Sequence, residues 1–344
     1  MFILRSATLN DLNGLYELSQ LMLFINLPPD KDIIESKILS SLNSFKNPSK
    51  NLANNHYLFV LEEIETGKII GTSMIHAQHG TEEEPHYFFT VDSEHKFSKT
   101  LNTGFIHGTL KLGIDTDGPT EIGGLILHPD YRKNDKKLGK QLSFVRFLYM
   151  GMYQDQFKEM IHSELMPPFD REGHSPLWEA VGRRFLNMEY HDADILSRSN
   201  KEFILNLFPS DNIYITLLPI EARNAIGKVG EETLPVKRML ESIGFKYTGE
   251  VDPFDGGPHY RAKLKDLKPV KEMFDVEVMI RSSIIKSDIT NLLVSLPTDE
   301  QSAFKAAFLP GNLNKGSRPS FIIDPETAKL YNLTEDFVTK ATYL

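Results

Sequence analysis

The residues with the clearest chemical potential lie between Glu121 and Gln141. A strand-like run, Glu121-Ile122-Gly123-Gly124-Leu125-Ile126-Leu127, ends at His128-Pro129-Asp130-Tyr131-Arg132, and a helix is expected from about Gln141 to Tyr153. A strand entering a loop that opens a helix presents backbone N–H groups without intrahelical partners, which hold phosphate well. Arg132, Lys133, Lys136, Lys137 and Lys140 put positive charge at the same mouth, with Gly139 close to the helix start. A phosphate-bearing ligand is the matching chemistry. A solvated basic turn has the same composition, so the pattern alone leaves both readings open.

The remaining reactive residue types narrow the field. The chain has 344 residues and no cysteine, which excludes disulfides, cysteine-ligated metals and a cysteine nucleophile. His174 adjoins Ser175, but sequence neighbours rarely form a catalytic pair and no Gly-x-Ser-x-Gly elbow occurs. The eleven histidines, His76, His79 and His86 among them, show no His-Glu-x-x-His spacing, so no metal site is expected. Asp255-Gly256-Gly257 calls for an unusual backbone turn, whose carboxylate could also grip a guanidinium. Glu82-Glu83-Glu84 reads as a solvated loop.

These residues need a scaffold, and the length suits two or three domains. Phe2–Arg5 is a short apolar run, and Leu12, Leu15, Leu18 and Leu21 recur near a helical period after Thr8 and Asp11. Leu27-Pro28-Pro29-Asp30 stops that helix, and Ile33 to Leu42 offer a second. Tyr57–Glu62 and Ile69–Ile75 read as a hairpin around Gly67. Residues 76–120 suggest one strand, near Tyr87-Phe88-Phe89, and a long irregular connection. Met160–Leu165 is another strand, and helices dominate 166–233. Ser175-Pro176-Leu177-Trp178-Glu179 opens one of them, and Trp178 and Phe185 are expected in the core. A helix over Pro235–Ile243 stops at Gly244, and short strands follow beyond residue 266. The order implies an α/β protein with a mixed sheet.

Composition adds boundaries. Lys and Arg number 38 against 47 Asp and Glu, leaving a formal charge of −9, which argues against a nucleic-acid binder. The amino terminus lacks a signal-peptide pattern, and no window reaches membrane-span length. A cytoplasmic protein with no membrane and no nucleic-acid partner is expected. Association into a homo-oligomer is left open.

Leu125-x-Leu127-x-Pro129-x-Tyr131-Arg132, followed by Gly139 and a helix, resembles the coenzyme A segment of the GNAT acyltransferase superfamily. The usual Arg-x-x-Gly-x-Gly is reduced here to Arg132 and Gly139. A closer resemblance is carried by Glu172–Trp178, Gly182–Tyr190, Ala193-Asp194, Ile226–Val229, Gly244–Tyr247 and Val251-Asp252-Pro253-Phe254-Asp255-Gly256-Gly257-Pro258. In order and spacing these blocks are similar to the arginine N-succinyltransferase family. The first hundred residues match less. Leu23-Phe24-Ile25-Asn26-Leu27-Pro28 stands where the family favours a glycine-rich stretch and a Leu-Thr-Ser-Leu-Pro block.

The resemblance implies a GNAT-like acyl-CoA-binding core over 1–165, a helical insertion completing it over 166–265, and a small β-rich module over 266–344. It implies succinyl transfer from succinyl-CoA, a co-substrate rather than a resident cofactor, to the α-amine of arginine. The divergent start leaves room for another amine such as ornithine, and the eroded glycine pattern for a non-catalytic binding protein. An amine must lose a proton to attack a thioester. Glu121 is the implied base and Glu164 the second candidate. Leu127 marks the oxyanion amide, and Arg132, Lys137, Leu138, Gly139 and Lys140 the coenzyme loop. His174, Ser175 and Asp255 are the candidate substrate contacts.

Overall fold

The computed structural model describes residues 1–21, 27–197, 200–300 and 302–344, so Leu23–Asn26 of the divergent block lie outside the described residues. The chain divides into two compact units, and it enters each more than once. The first holds Met1–Gln78, Thr120–Glu159 and Lys263–Leu344, and the second His79–Pro119 and Met160–Ala262. The sequence suggested three consecutive segments instead. The tail from 266 onward pairs with the first strand and counts with it in the first unit.

In the first unit, β1 (Phe2–Ser6), β2 (His56–Glu63), β3 (Lys68–His76) and β6 (Thr120–Leu127) form an antiparallel run in that order. Helices α1 (Leu12–Gln20) and α2 (Lys31–Lys46) cover it, burying Leu15, Leu18, Ile34 and Ile38 against Val60, Ile69 and Ile126. The entry to α1 is fixed locally. Asp11 accepts from the Thr8 N–H at 2.7 Å and from both terminal nitrogens of Arg5 at 2.7 Å. Helix α3 (Leu138–Met152) is buried along most of its length, including Leu142, Phe144, Val145, Phe147 and Leu148. Ser73 of β3 donates its hydroxyl to the Leu142 carbonyl at 2.8 Å, which sets the height of α3 over the sheet.

The tail supplies β11 (Phe274–Ile280), β12 (Thr290–Ser295), β13 (Lys305–Asn314), β14 (Ser320–Ile323) and β15 (Val338–Thr342). Their order is β12-β15-β11-β14-β13, and β13 also pairs with β12, so the five strands close on themselves. Closure removes the exposed edges that an open sheet leaves. Val276, Val278, Leu292, Val294, Phe321 and Ile323 fill the interior. β13 meanwhile pairs with β1 through Leu4↔Ala306.

In the second unit the strand order is β7 (Met160–Glu164), β10 (Pro258–Lys263), β9 (Lys246–Val251), β4 (His86–Ser98), β5 (Thr103–Asp115) and β8 (Ile213–Tyr214). Residues 76–120 thus hold two paired 13-residue strands where one strand and a loose connection were expected. The short helices of 176–225 pack on this sheet through Leu177, Trp178, Val181, Ala193, Phe208 and Ala222. Trp178 is fully buried, but Phe185 is 50% exposed, correcting its expected core position. The helix breaks between them at Val181 (φ −123°, ψ −72°), so the two rings do not share one helical face. No helix among the described residues is long and apolar enough to cross a membrane.

Candidate functional site

The first unit positions the basic loop. Along the β3–β6 pairing the register slips between Thr72↔Ile126 and Met74↔Gly123, so β6 carries one extra residue. Gly124 absorbs it at φ +56°, a conformation that a side chain resists. Beneath the bulge lies Arg146, 2% exposed. Its Nη1 donates to the Gly123 carbonyl at 3.3 Å and its Nη2 to Ser143 Oγ at 2.8 Å. Burial presses this guanidinium down to about 9. Glu121, at the other end of β6, is buried and stands opposite His76 in the strand register.

Past Leu127 the loop is held by side chains in place of glycines. Arg132 Nε donates to the Leu127 carbonyl at 3.0 Å, Asn134 Nδ2 to the Tyr131 carbonyl at 2.8 Å, and Gln141 Nε2 to the Lys136 carbonyl at 2.6 Å. Lys133 and Lys137 take left-handed conformations, with φ of 57° and 55°. Lys137 is the N-cap of α3, so the helix begins at Leu138, three residues earlier than expected. The first N–H groups of α3, at Leu138 and Gly139, therefore open toward the loop. Arg132, Lys133, Lys136 and Lys137 are exposed around them. Lys140 is half-buried, and its ammonium is lowered by burial and then by Lys137 and Lys268. A cavity of about 650 Å³ adjoins, lined by Phe2, Lys136, Lys137, Gln141, Asn291 and Tyr331. The expected coenzyme residues Leu127, Arg132, Lys137, Leu138, Gly139 and Lys140 thus sit on one strand–loop–helix junction.

The second unit gathers acids and imidazoles. Glu164, at the end of β7, has Oε1 3.2 Å from His162 Nε2, 3.7 Å from His259 Nε2 and 3.8 Å from His86 Nδ1. Asp252 opens a tight turn: its Oδ1 accepts from the N–H groups of Phe254 at 2.7 Å and Asp255 at 3.0 Å. Asp255 Oδ1 in turn accepts from Gly257 at 2.7 Å. Gly256 (φ +81°) completes the turn. Burial, followed by the charge of Glu164, pushes Asp252 up to about 6. Burial and the neighbouring Asp252 carry Asp255 well above the carboxylate range, with Glu164 and Asp194 adding to the shift. Asp255 therefore keeps its proton and presents a neutral hydrogen-bonding group rather than a charge.

The two other expected contacts behave differently. Ser175 is fully buried, and its hydroxyl accepts from the Trp178 N–H at 3.1 Å as the N-cap of α4 (Pro176–Ala180). The same hydroxyl donates to the Phe254 carbonyl at 3.2 Å, so a structural role accounts for it. His174 is half exposed and pairs with Asp170, Nδ1 to Oδ2 at 3.3 Å. His162 and His259 escaped the sequence reading, and His86 was named there without its partners, because each comes from a different strand. Asp252 was legible only as part of its turn.

A mixed sheet whose bulged strand runs into a basic loop and a covering helix defines a GNAT-type acyltransferase, a class that takes acyl-CoA as co-substrate. The family pattern described as arginine N-succinyltransferase beta subunit matches residues 2–269, and the chain belongs to the arginine N-succinyltransferase family. Arginine N-succinyltransferase of Yersinia pseudotuberculosis (strain YPIII) is 35% identical over 308 residues, covering 88% of this chain and 86% of that protein. The enzyme of that name from Photorhabdus laumondii is 33% identical over 312 residues, 90% of this chain and 89% of its own. The solved arginine/ornithine succinyltransferase subunit AI from Pseudomonas aeruginosa superposes with a TM-score of 0.84 at 25% identity, covering 100% of this chain and 98% of that one.

Proposed function

We propose that the chain transfers the succinyl group of succinyl-CoA to the α-amine of arginine by direct attack. The observation that carries this reading is β6 itself. It bears a buried carboxylate, Glu121, at one end and runs at the other into the cationic mouth of α3, in a chain 35% identical to arginine N-succinyltransferases across 88% of its length. The α3 amides at Leu138 and Gly139, with Arg132, Lys137 and Lys140, receive the pyrophosphate. Glu121 takes the proton from the substrate ammonium, directly or through water. The amine nitrogen bonds to the thioester carbonyl, a backbone amide of β6 steadies the oxyanion, and the C–S bond breaks. Coenzyme A leaves as the thiolate and is reprotonated. Asp255 is the proposed contact for the guanidinium of the acceptor, giving up its proton as that cation arrives.

A second acceptor has one observation behind it: the Pseudomonas relative is an arginine/ornithine succinyltransferase subunit. The test is thiol release from succinyl-CoA and acetyl-CoA against a panel of amino acids. Release with succinyl-CoA and arginine supports the first reading, and release with ornithine in place of arginine supports the second. Silence across the panel, with no CoA-induced rise in Tm, leaves a non-catalytic protein.

A further inference from the structure

Three histidines and a carboxylate from three strands meet inside the second unit. β4 opens with His86, β7 carries His162 and Glu164, and β10 carries His259. One donor atom from each lies within 4.8 Å of all the others. Glu164 Oε1 is the common point, with imidazole nitrogens at 3.2, 3.7 and 3.8 Å. Tetrahedral zinc, with bonds of about 2.0–2.1 Å, sets its ligand atoms about 3.3 Å apart. The donor atoms, within 4.8 Å of one another, draw together by up to about 1.5 Å to reach that spacing.

Burial strengthens the case. The three imidazoles are at most 2% exposed. Among the described residues, neither ring nitrogen of His259 has a hydrogen-bond partner, and its Nε2 faces Glu164. Buried polar atoms are nearly always satisfied, so these nitrogens call for an explanation.

The surroundings match an outer shell. Metal-bound histidines usually hand their second N–H to a carboxylate. Glu250 Oε2 is 3.7 Å from His259 Nδ1, and Arg261 Nη2 holds that carboxylate at 3.0 Å. Two contacts must yield on loading. Arg261 Nε is now 3.2 Å from His162 Nδ1, which takes up the proton when Nε2 turns to the ion. His79 Nε2, 2.8 Å from His86 Nδ1, releases that atom.

We propose that His86, His162, Glu164 and His259 bind one zinc-class divalent ion that ties β4, β7 and β10 together. Four protein ligands leave no open coordination position, so the ion is structural. This assignment uses Glu164 as a ligand, leaves the base role to Glu121, and stands apart from the acyl-transfer reading.

The test uses the full-length chain, stripped with a chelator and reloaded with zinc(II) or cobalt(II). Elemental analysis is expected to give one ion per chain, with a rise in Tm that grows with metal concentration. Cobalt is expected to show the intense visible bands of tetrahedral coordination. Glu250→Gln is expected to keep the stoichiometry while weakening binding about 10–100-fold. The double variant His162→Ala/His259→Ala is expected to lose the ion. No stoichiometric uptake by the native chain, or equal uptake by a folded double variant, overturns the proposal. Where the double variant does not fold, the native cobalt spectrum decides, and weak octahedral bands overturn it.

Discussion

Nε of Arg132 donates to the carbonyl of Leu127 at 3.0 Å, tying the first cation of the loop back to the last residue of β6. In a loop lacking the usual glycines, this bond and the left-handed Lys133 and Lys137 do the shaping.

Arg132→Ala is expected to raise KM for the acyl-CoA about 10-fold, the equivalent of one charge-assisted hydrogen bond of about 1.4 kcal/mol. The acceptor KM should hardly move. Steady-state kinetics with each substrate varied in turn checks this, and an unchanged acyl-CoA KM removes Arg132 from the loop's function.

Glu121→Gln keeps the size and hydrogen-bonding reach of the side chain but cannot take a proton. Turnover is expected to fall about 10²–10⁴-fold at neutral pH. A variant as active as the native chain at both neutral and high pH rules the residue out as base.

Ser175→Ala removes a buried N-cap and leaves the Phe254 carbonyl without its donor. A loss of about 1–2 kcal/mol is expected in denaturant unfolding, with the acceptor KM unchanged. A raised KM without loss of stability would instead place Ser175 in the substrate site.

Asp252 makes stability depend on pH. Folded, it holds its proton up to about pH 6, because burial and Glu164 disfavour its charge. Unfolded, it releases the proton near the ordinary value of about 3.9. The native chain therefore gains stability relative to Asp252→Asn below about pH 4, and loses that advantage as pH rises through 6. Paired denaturation curves between pH 4 and 8 read the difference directly, and a native chain that gains stability relative to Asp252→Asn as pH rises contradicts the assignment.

Local signals in the sequence were reliable where one segment carries the whole message. Ser175-Pro176 capped its helix, Gly244 (φ +118°) ended another, and the β2–β3 hairpin formed around Gly67 as read. The β4–β5 hairpin was half missed. Its outer half is solvated, with Phe97, Phe105 and Ile106 exposed, so alternation between buried and exposed faces gives no signal there. Phe185 was misplaced because spacing cannot show the break at Val181. The histidine cluster was invisible for a deeper reason: β4, β7 and β10 are distant in sequence and come close only through the sheet order β7-β10-β9-β4.

The central claim is succinyl transfer to arginine, and one measurement meets it most directly. The chain is mixed with succinyl-CoA and arginine, and the products are resolved by mass spectrometry and NMR. The account predicts free coenzyme A and arginine succinylated on its α-nitrogen, in equal amounts. Coenzyme A released without succinylated arginine, or no turnover while succinyl-CoA binds, would contradict it.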